Sequence, residues 1–387
     1  MYAYAPLFSA YLESLGVRGE RIVYSDGTSD ELYRTGCSRG SIDPCFPAKV
    51  ALAHVHNLLW VKHPRARLDC LFFPMLDALT SPLADTRGCN ACPTATLTPE
   101  TVKAAFTKEQ DHFAEQGIRY VSPLLDLSHR RLFAQQMFEA WSPVLGLSQD
   151  ENDRAVEVGF EALDAWQASL RRRARQALDR LVRERRLGIV ILGRAYHHDP
   201  GINHDIPEAL QKRGYPIFSQ ATLPMDDDLM EALFGDEVRE GFIAHPLDLS
   251  DVWKHTTSAS TNLKLWAAKF VARHPNLVAV EVSSFKCGLD APIYNVVEEI
   301  VTSSGTPYFA FKDLDENKAA GSITLRVETI DYFLTRHRAA LVEREEARLA
   351  IARELEALEA RLRAARDRPS AERSAVVQAG LASLMTK

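Results

Sequence analysis

The chain has 387 residues, 46% of them hydrophobic and 25% charged, which is enough for two ordinary globular lobes with buried cores. A formal charge of −6 and a pI near 6.1 exclude the basic field that draws proteins onto nucleic acid or anionic lipid. No run of about 18 apolar residues occurs and the N-terminus does not read as a signal peptide, so the expectation is a cytoplasmic protein that meets neither membrane nor nucleic acid. For such a protein, six cysteines (Cys37, Cys45, Cys70, Cys89, Cys92, Cys287) are thiols or metal ligands and not a disulfide framework.

In chain order, LFSAYLESLG predicts a helix ending at Gly16, RIVYS a strand, and residues 47–63 an amphipathic helix. LDCLFFP follows as a strand with Cys70 as a small buried hydrophobe. PETVKAAFTKEQDHF is then a helix opened by Pro99, and IRYVSPLL another strand. The stretch 148–186 is a long helical connection whose arginines 171–175 form a solvated face.

The alternation then restarts. RLGIVILGRAY is a strand rising into the loop HHDPGINH, followed by the helix DIPEALQKRG, the strand YPIFS and the helix DDLMEALFG. A helix over about 257–273, the strand NLVAVEVS, the helix APIYNVVEEIVTSS and the strand TPYFAFKD complete the second run. Strands alternating with helices predict α/β architecture with parallel, doubly wound sheets. The expected organisation is a lobe over 1–145, a helical connection over 146–186, a second lobe over 187–335 and a helical tail over 336–387. The tail, rich in Ala, Leu, Glu and Arg, is either an oligomerisation helix or an ordinary C-terminal one.

Cys45, Cys92 and Cys287 fall in loops beyond strands and just before helices, where a doubly wound fold places its chemistry. There, backbone N–H groups stabilise thiolates and cluster sulfides. Cys89 and Cys92 form a lone CxxC, open to zinc or dithiol readings but without a second pair. His197, His198, Asp199 and His204 crowd one loop and form a rival metal constellation. No GxxxxGK[ST], no GxGxxG after a strand and no GxSxG occurs, so nucleotide-cradling and hydrolase readings have no motif.

The ordered set Cys45-Phe-Pro-Ala-Lys49, His54, Pro74, Cys92-Pro93, Pro99-Glu100, Gly193-Arg194-Ala195-Tyr196-His197, Asp199-Pro200, Ile202-Asn203-His204 and Ser284 to Ala291 resembles the acyl-CoA dehydratase activase-related proteins. These are relatives of 2-hydroxyacyl-CoA dehydratase and benzoyl-CoA reductase subunits and of double-cubane cluster proteins. The resemblance implies two flavodoxin- or Rossmann-like lobes holding a [4Fe–4S] cluster on Cys45, Cys92 and Cys287, with Cys89 as a possible additional ligand. It implies low-potential one-electron chemistry as a reductase or (R)-2-hydroxyacyl-CoA dehydratase component, fed by a separate ATP-hydrolysing activator. The alternatives are an electron-transfer or scaffold subunit and a double-cubane reductase of small molecules. A homodimer or a paralogous subunit would complete the assembly, and the substrate would be a small molecule such as an acyl-CoA.

The sequence departs from the family's pattern at Asp43 before Pro44 and at the extra thiol Cys89. His197, His204, Asp290 and Arg326 are the candidates for contacting substrate or joining the lobes. Asp315 and Glu316 lie in a C-terminal motif that the family shares, where salt bridging is the rival explanation.

Overall fold

The computed structural model describes residues 2–37, 45–84, 86–254, 257–317 and 320–366, so Asp43 and Pro44 lie outside the described residues. It divides into two compact units, one up to Tyr332 and one from Phe333 onward. The architecture is α/β, every ladder between the described strands is parallel, and a long C-terminal helix follows. No described helix is long and apolar enough to cross a membrane.

The first part opens with α1 (Ala5–Ser14), α2 (Asp30–Gly36) and α3 (Phe46–Asn57), which runs on through a π turn over Leu58–Lys62. Two short strands follow, β1 (Cys70–Phe72) and β2 (Met75–Ala78), and then α4 (Pro93–Thr107) and α5 (His112–Glu115). β3 (Arg119–Val121) pairs with β1 and β4 (Leu124–Asp126) with β2. Phe73 N–H donates to Val121 O at 2.9 Å and Met75 N–H to Pro123 O at 2.9 Å. The two pairs are therefore one pairing interrupted at Pro123, which has no N–H to return a bond.

The helix α6 (Arg130–Leu145) leads to α7 (Gln149–Arg183), which is entered through a Ser148–Glu151 capping box. α1 lies along α7, with Leu7, Phe8 and Tyr11 in one cluster with Val156, Phe160 and Leu163. The approach is close at Gly159, where a Cβ would stand 2.8 Å from the Leu7 carbonyl oxygen.

Beyond α7, a four-stranded sheet has the order β6-β5-β7-β8. It is built from β5 (Gly188–Leu192), the short helices α8 (Pro200–Asn203) and α9 (Ile206–Gln211), and β6 (Ile217–Ser219). α10 (Asp227–Arg239), α11 (Ala259–Arg273), β7 (Leu277–Val282), α12 (Tyr294–Thr302) and β8 (Tyr308–Phe311) follow. Every residue of β5 and β7 is buried, which is why GIVIL and LVAVEV read as continuous runs and not as alternations. α13 (Ala320–Arg366) ends the described chain.

Local expectations fail in three places. RIVYS enters no ladder among the described residues: a 3-10 turn covers Gly19–Arg21, and the hydroxyl of Ser25 bonds α3. The helix expected from Pro99 starts at Pro93, the favoured first position, and Pro99 lies inside it, where its missing N–H leaves one helical bond unmade. α13 begins at Ala320 and not after Thr335, so Arg326 is helical.

Candidate functional site

In the order β6-β5-β7-β8 the chain steps from β5 to β6 on one side and later adds β7 on the other. The carboxyl ends of β5 and β7 thus flank a topological switch point, where open α/β sheets bind ligands. The loop after β5 carries Arg194 to His204, and the loop after β7 carries Ser283 to Asp290.

A buried ionic network joins these loops. Arg194 donates to Asp290 Oδ1 at 2.7 Å through Nη2 and at 3.1 Å through Nε. Lys264 of α11 stands 3.0 Å from both Asp290 Oδ1 and Glu281 Oε1, and Ser283 donates to Asp290 Oδ2 at 2.7 Å. Tyr308 donates to Glu281 as well. Lys264, Glu281 and Asp290 are wholly buried and Arg194 nearly so. Two cations and two carboxylates thus balance within one hydrogen-bonded cluster, the condition under which charges survive burial. Burial alone would raise the Asp290 carboxyl, but Lys264, Arg194 and the Ser283 hydroxyl outweigh it and hold it well below the usual range. Burial pulls the Arg194 guanidinium down, yet Asp290 and Cys287 raise it overall.

The loop after β5 is held from both sides. His197 is buried and pushed down to about 3, chiefly by burial and then by Lys264, so it is neutral and its Nδ1 accepts from Arg194 N–H at 2.9 Å. Asp199 caps α8, accepting from Gly201 N–H at 2.9 Å, and also accepts from Thr28 Oγ1 at 2.7 Å. His54 of α3, held neutral by burial, completes a directional chain: Ser25 donates to its Nδ1 at 2.8 Å and its Nε2 donates to Thr28 at 3.0 Å. His204, in the left-handed region with φ 54°, donates to Asp315 O at 2.9 Å and stacks on Phe46 at 6.1 Å. His198 meets Ser219 Oγ at 2.8 Å. The polar groups of this loop are engaged by backbone and neighbouring side chains. Among the described residues, no group of three or more His, Cys, Asp or Glu is placed to hold a metal ion.

All six cysteines are unbridged and partly buried. Cys45 and Cys92 occupy matching places: each is the N-cap of a helix beginning with proline in its first turn, and each carbonyl accepts the first helical bond, from Lys49 and Thr96 respectively. Cys287 accepts from Asp290 N–H at 3.2 Å and Ala291 N–H at 3.0 Å in the turn that leads to α12. Tyr196 lies near Cys45 and Cys287. Its hydroxyl is held protonated by burial first, then by Cys287, Asp290 and Cys45.

The first turns of α11 connect the remaining pieces. Asn90, between Cys89 and Cys92, donates to Thr257 O at 2.7 Å and accepts from Ala259 N–H at 3.0 Å. Thr261 meets Arg194 at 3.3 Å, and Lys264 meets Asp290 one turn later. Cys89 lies near Tyr4, whose hydroxyl is raised mainly by burial. Cys37 bonds the first turn of α3, and Cys70 stands in β1. Burial pushes the Cys37 thiol up to about 11 while it donates to Lys49 O at 3.3 Å, and burial also raises Cys70.

Glu316 pairs with Lys49 at 2.9 Å and stands 3.8 Å from Lys286, so it reaches both the helix that follows Cys45 and the residue before Cys287. Arg326 forms a two-armed pair with Asp313 at 2.8 and 2.9 Å and covers the Phe311 ring. Asp290 has no exposed surface and joins the loops after β5 and β7 through Arg194 and Ser283. Sequence reading missed Lys264 and Glu281 as members of the site, and missed Tyr196 as its shared neighbour. The signal for the first two is legible in retrospect: a lone glutamate inside VAVEV and a lysine inside LKLWAAKF require buried partners.

A family model described as CoA enzyme activase uncharacterised domain (DUF2229) matches residues 1–223, a span that includes α3, α4 and the loop after β5. No curated protein matches the chain.

Proposed function

The chain belongs to the family of the CoA enzyme activase uncharacterised domain, and from that premise we propose that it is the cluster-bearing component of an ATP-activator-dependent reductase or (R)-2-hydroxyacyl-CoA dehydratase-like system. The observation that carries the reading is the shared scaffolding of three cysteine loops. Tyr196 neighbours Cys45 and Cys287, while the first turns of α11 bond the loop of Cys92, Arg194 and, through Lys264, the loop of Cys287.

The donor type, cysteine thiol, is that of a [4Fe–4S] cluster, while among the described residues no three such side chains stand together as a metal site. Unbridged thiols are what cubane irons take as ligands, and Cys45 and Cys92 stand at helix starts. Cys45, Cys92 and Cys287 would hold it, with Cys89 beside them. When bound, such a group supplies one-electron transfer and, with an iron left open by three-thiolate ligation, Lewis acidity. The residues around it have defined tasks. Arg194, Lys264, Asp290 and Glu281 fix the loops after β5 and β7 without leaving net charge. Tyr196 keeps its proton as a hydrogen-bond donor, and His197 stays neutral. The separate activator would deliver the electron, and an acyl-CoA is the substrate class for the catalytic form.

The test is anaerobic reconstitution with iron and sulfide. The wild-type chain is expected to hold about four irons, Cys45→Ser, Cys92→Ser and Cys287→Ser to lose most of them, and Cys70→Ser to keep them. Equal iron in Cys287→Ser and Cys70→Ser would overturn the ligand set. With the cluster in place, an EPR spectrum that shifts with acyl-CoA supports the enzyme, and one indifferent to it makes the chain an electron carrier.

A further inference from the structure

The apolar positions of α13 follow a heptad spacing of alternating three and four residues. Val327 and Ile330, early in the helix, are 1% and 3% exposed within the first unit. The same spacing, continued past Arg344 and Arg348, arrives at Ile351, Leu355, Leu358 and Leu362, which are 59%, 56%, 49% and 62% exposed. The seam is thus covered in one stretch of the helix and bare in another. Four aligned large hydrophobes left in water are an interface pattern and not a solvated face.

The flanking charges select the occupant. In the heptad frame that puts Leu355 and Leu362 at a and Ile351 and Leu358 at d, Glu354 and Arg361 are both g positions and Glu359 is an e position. A parallel pair of these helices sets Glu354 beside Glu359 of the partner subunit, which is repulsive. An antiparallel pair with Leu355 opposite Leu358 of the partner subunit sets Glu354 beside Arg361 of the partner subunit. Two-fold symmetry forms that attraction twice. Glu359 is meanwhile engaged by Arg363 of its own helix at 3.5 Å. The same segment therefore complements itself when inverted and rejects itself when parallel.

We propose that the exposed seam over Ile351 to Leu362 is a self-association surface on which a second copy of this chain docks its own α13 antiparallel. This goes beyond the cluster reading and does not depend on it.

Sedimentation velocity of the full-length chain over a concentration series tests it. The expected result is a monomer–dimer equilibrium. Leu355→Asp with Leu358→Asp abolishes it, with the far-UV circular dichroism of the folded chain retained because both positions are exposed. Glu354→Arg alone weakens the dimer about fivefold by setting arginine against arginine, and Glu354→Arg with Arg361→Glu restores it to within about twofold. A chain that stays monomeric up to about 100 µM, or a dimer that survives the double aspartate, overturns the proposal and leaves the seam to a different polypeptide. Tightening by Glu354→Arg overturns the antiparallel geometry, since only a parallel pair gains from it.

Discussion

The two strand systems of the first unit solve one problem differently. The pairs β1-β3 and β2-β4 are three or four residues long and broken at Pro123, and the apolar bulk around them comes from helices, as in the cluster of Leu7, Phe8 and Tyr11 with Phe160. The sheet β6-β5-β7-β8 has two wholly buried central strands, and at its carboxyl edge sit four charges, three wholly buried and Arg194 nearly so. Helices packed on short strands order the first region, so its loops depend on close helix contact. The second region is rigid enough to carry ions, provided that each keeps its partner.

Removing a partner in the second region has the largest expected effect. Asp290→Ala leaves Arg194 and Lys264 buried with one carboxylate between them and is expected to cost about 3 to 5 kcal/mol in urea unfolding. A loss below about 1 kcal/mol would show that the network does not hold the loops. In the first region the matching break is steric. Gly159→Val forces a side chain toward the Leu7 carbonyl oxygen and is expected to cost about 1 to 3 kcal/mol, read from the same unfolding curves.

A pH titration sharpens the contrast. His274, at the end of α11, is pushed down to about 4 by burial. The folded state then binds fewer protons than the unfolded state, whose histidine titrates near 6.5. Its contribution is fully present above that pH and fades as the pH falls toward 4. Stability is expected to drop by about 2 kcal/mol between pH 7 and pH 5 on this account, and His274→Gln to flatten the slope; an unchanged slope would remove histidine burial as the cause. The smallest effect is at the surface: Arg326→Ala breaks its pair with the half-exposed Asp313 and is expected to cost less than about 1 kcal/mol.

Much of the fold was legible because its signals are local. VAVEV and GIVIL read as strands of a parallel sheet, and the stretch 148–186 as the long helical connection. RIVYS was misread because strand propensity cannot reveal whether a neighbour exists to pair with, and here the segment's hydroxyls bond Ser9 of α1 and His54 of α3. The start of α4 was misplaced because two prolines compete for the first-turn position and only packing decides between Pro93 and Pro99. The place of Cys45, Cys92 and Cys287 between strands and helices is legible in the sequence. The bond of Asn90 to the start of α11, and Tyr196 as a neighbour of Cys45 and Cys287, are not, since nothing in the spacing of the chain encodes them.

Period, composition and turn chemistry thus determined the α/β alternation, the parallel pairing and the heptad seam of α13, because each is a property of residues close in sequence. The balance of Arg194, Lys264, Asp290 and Glu281, the placing of Asp290 between loops, and the neutrality of His197 were decided only in three dimensions. Electrostatic energy depends on distance and burial, and both are set by which distant segments the fold brings together.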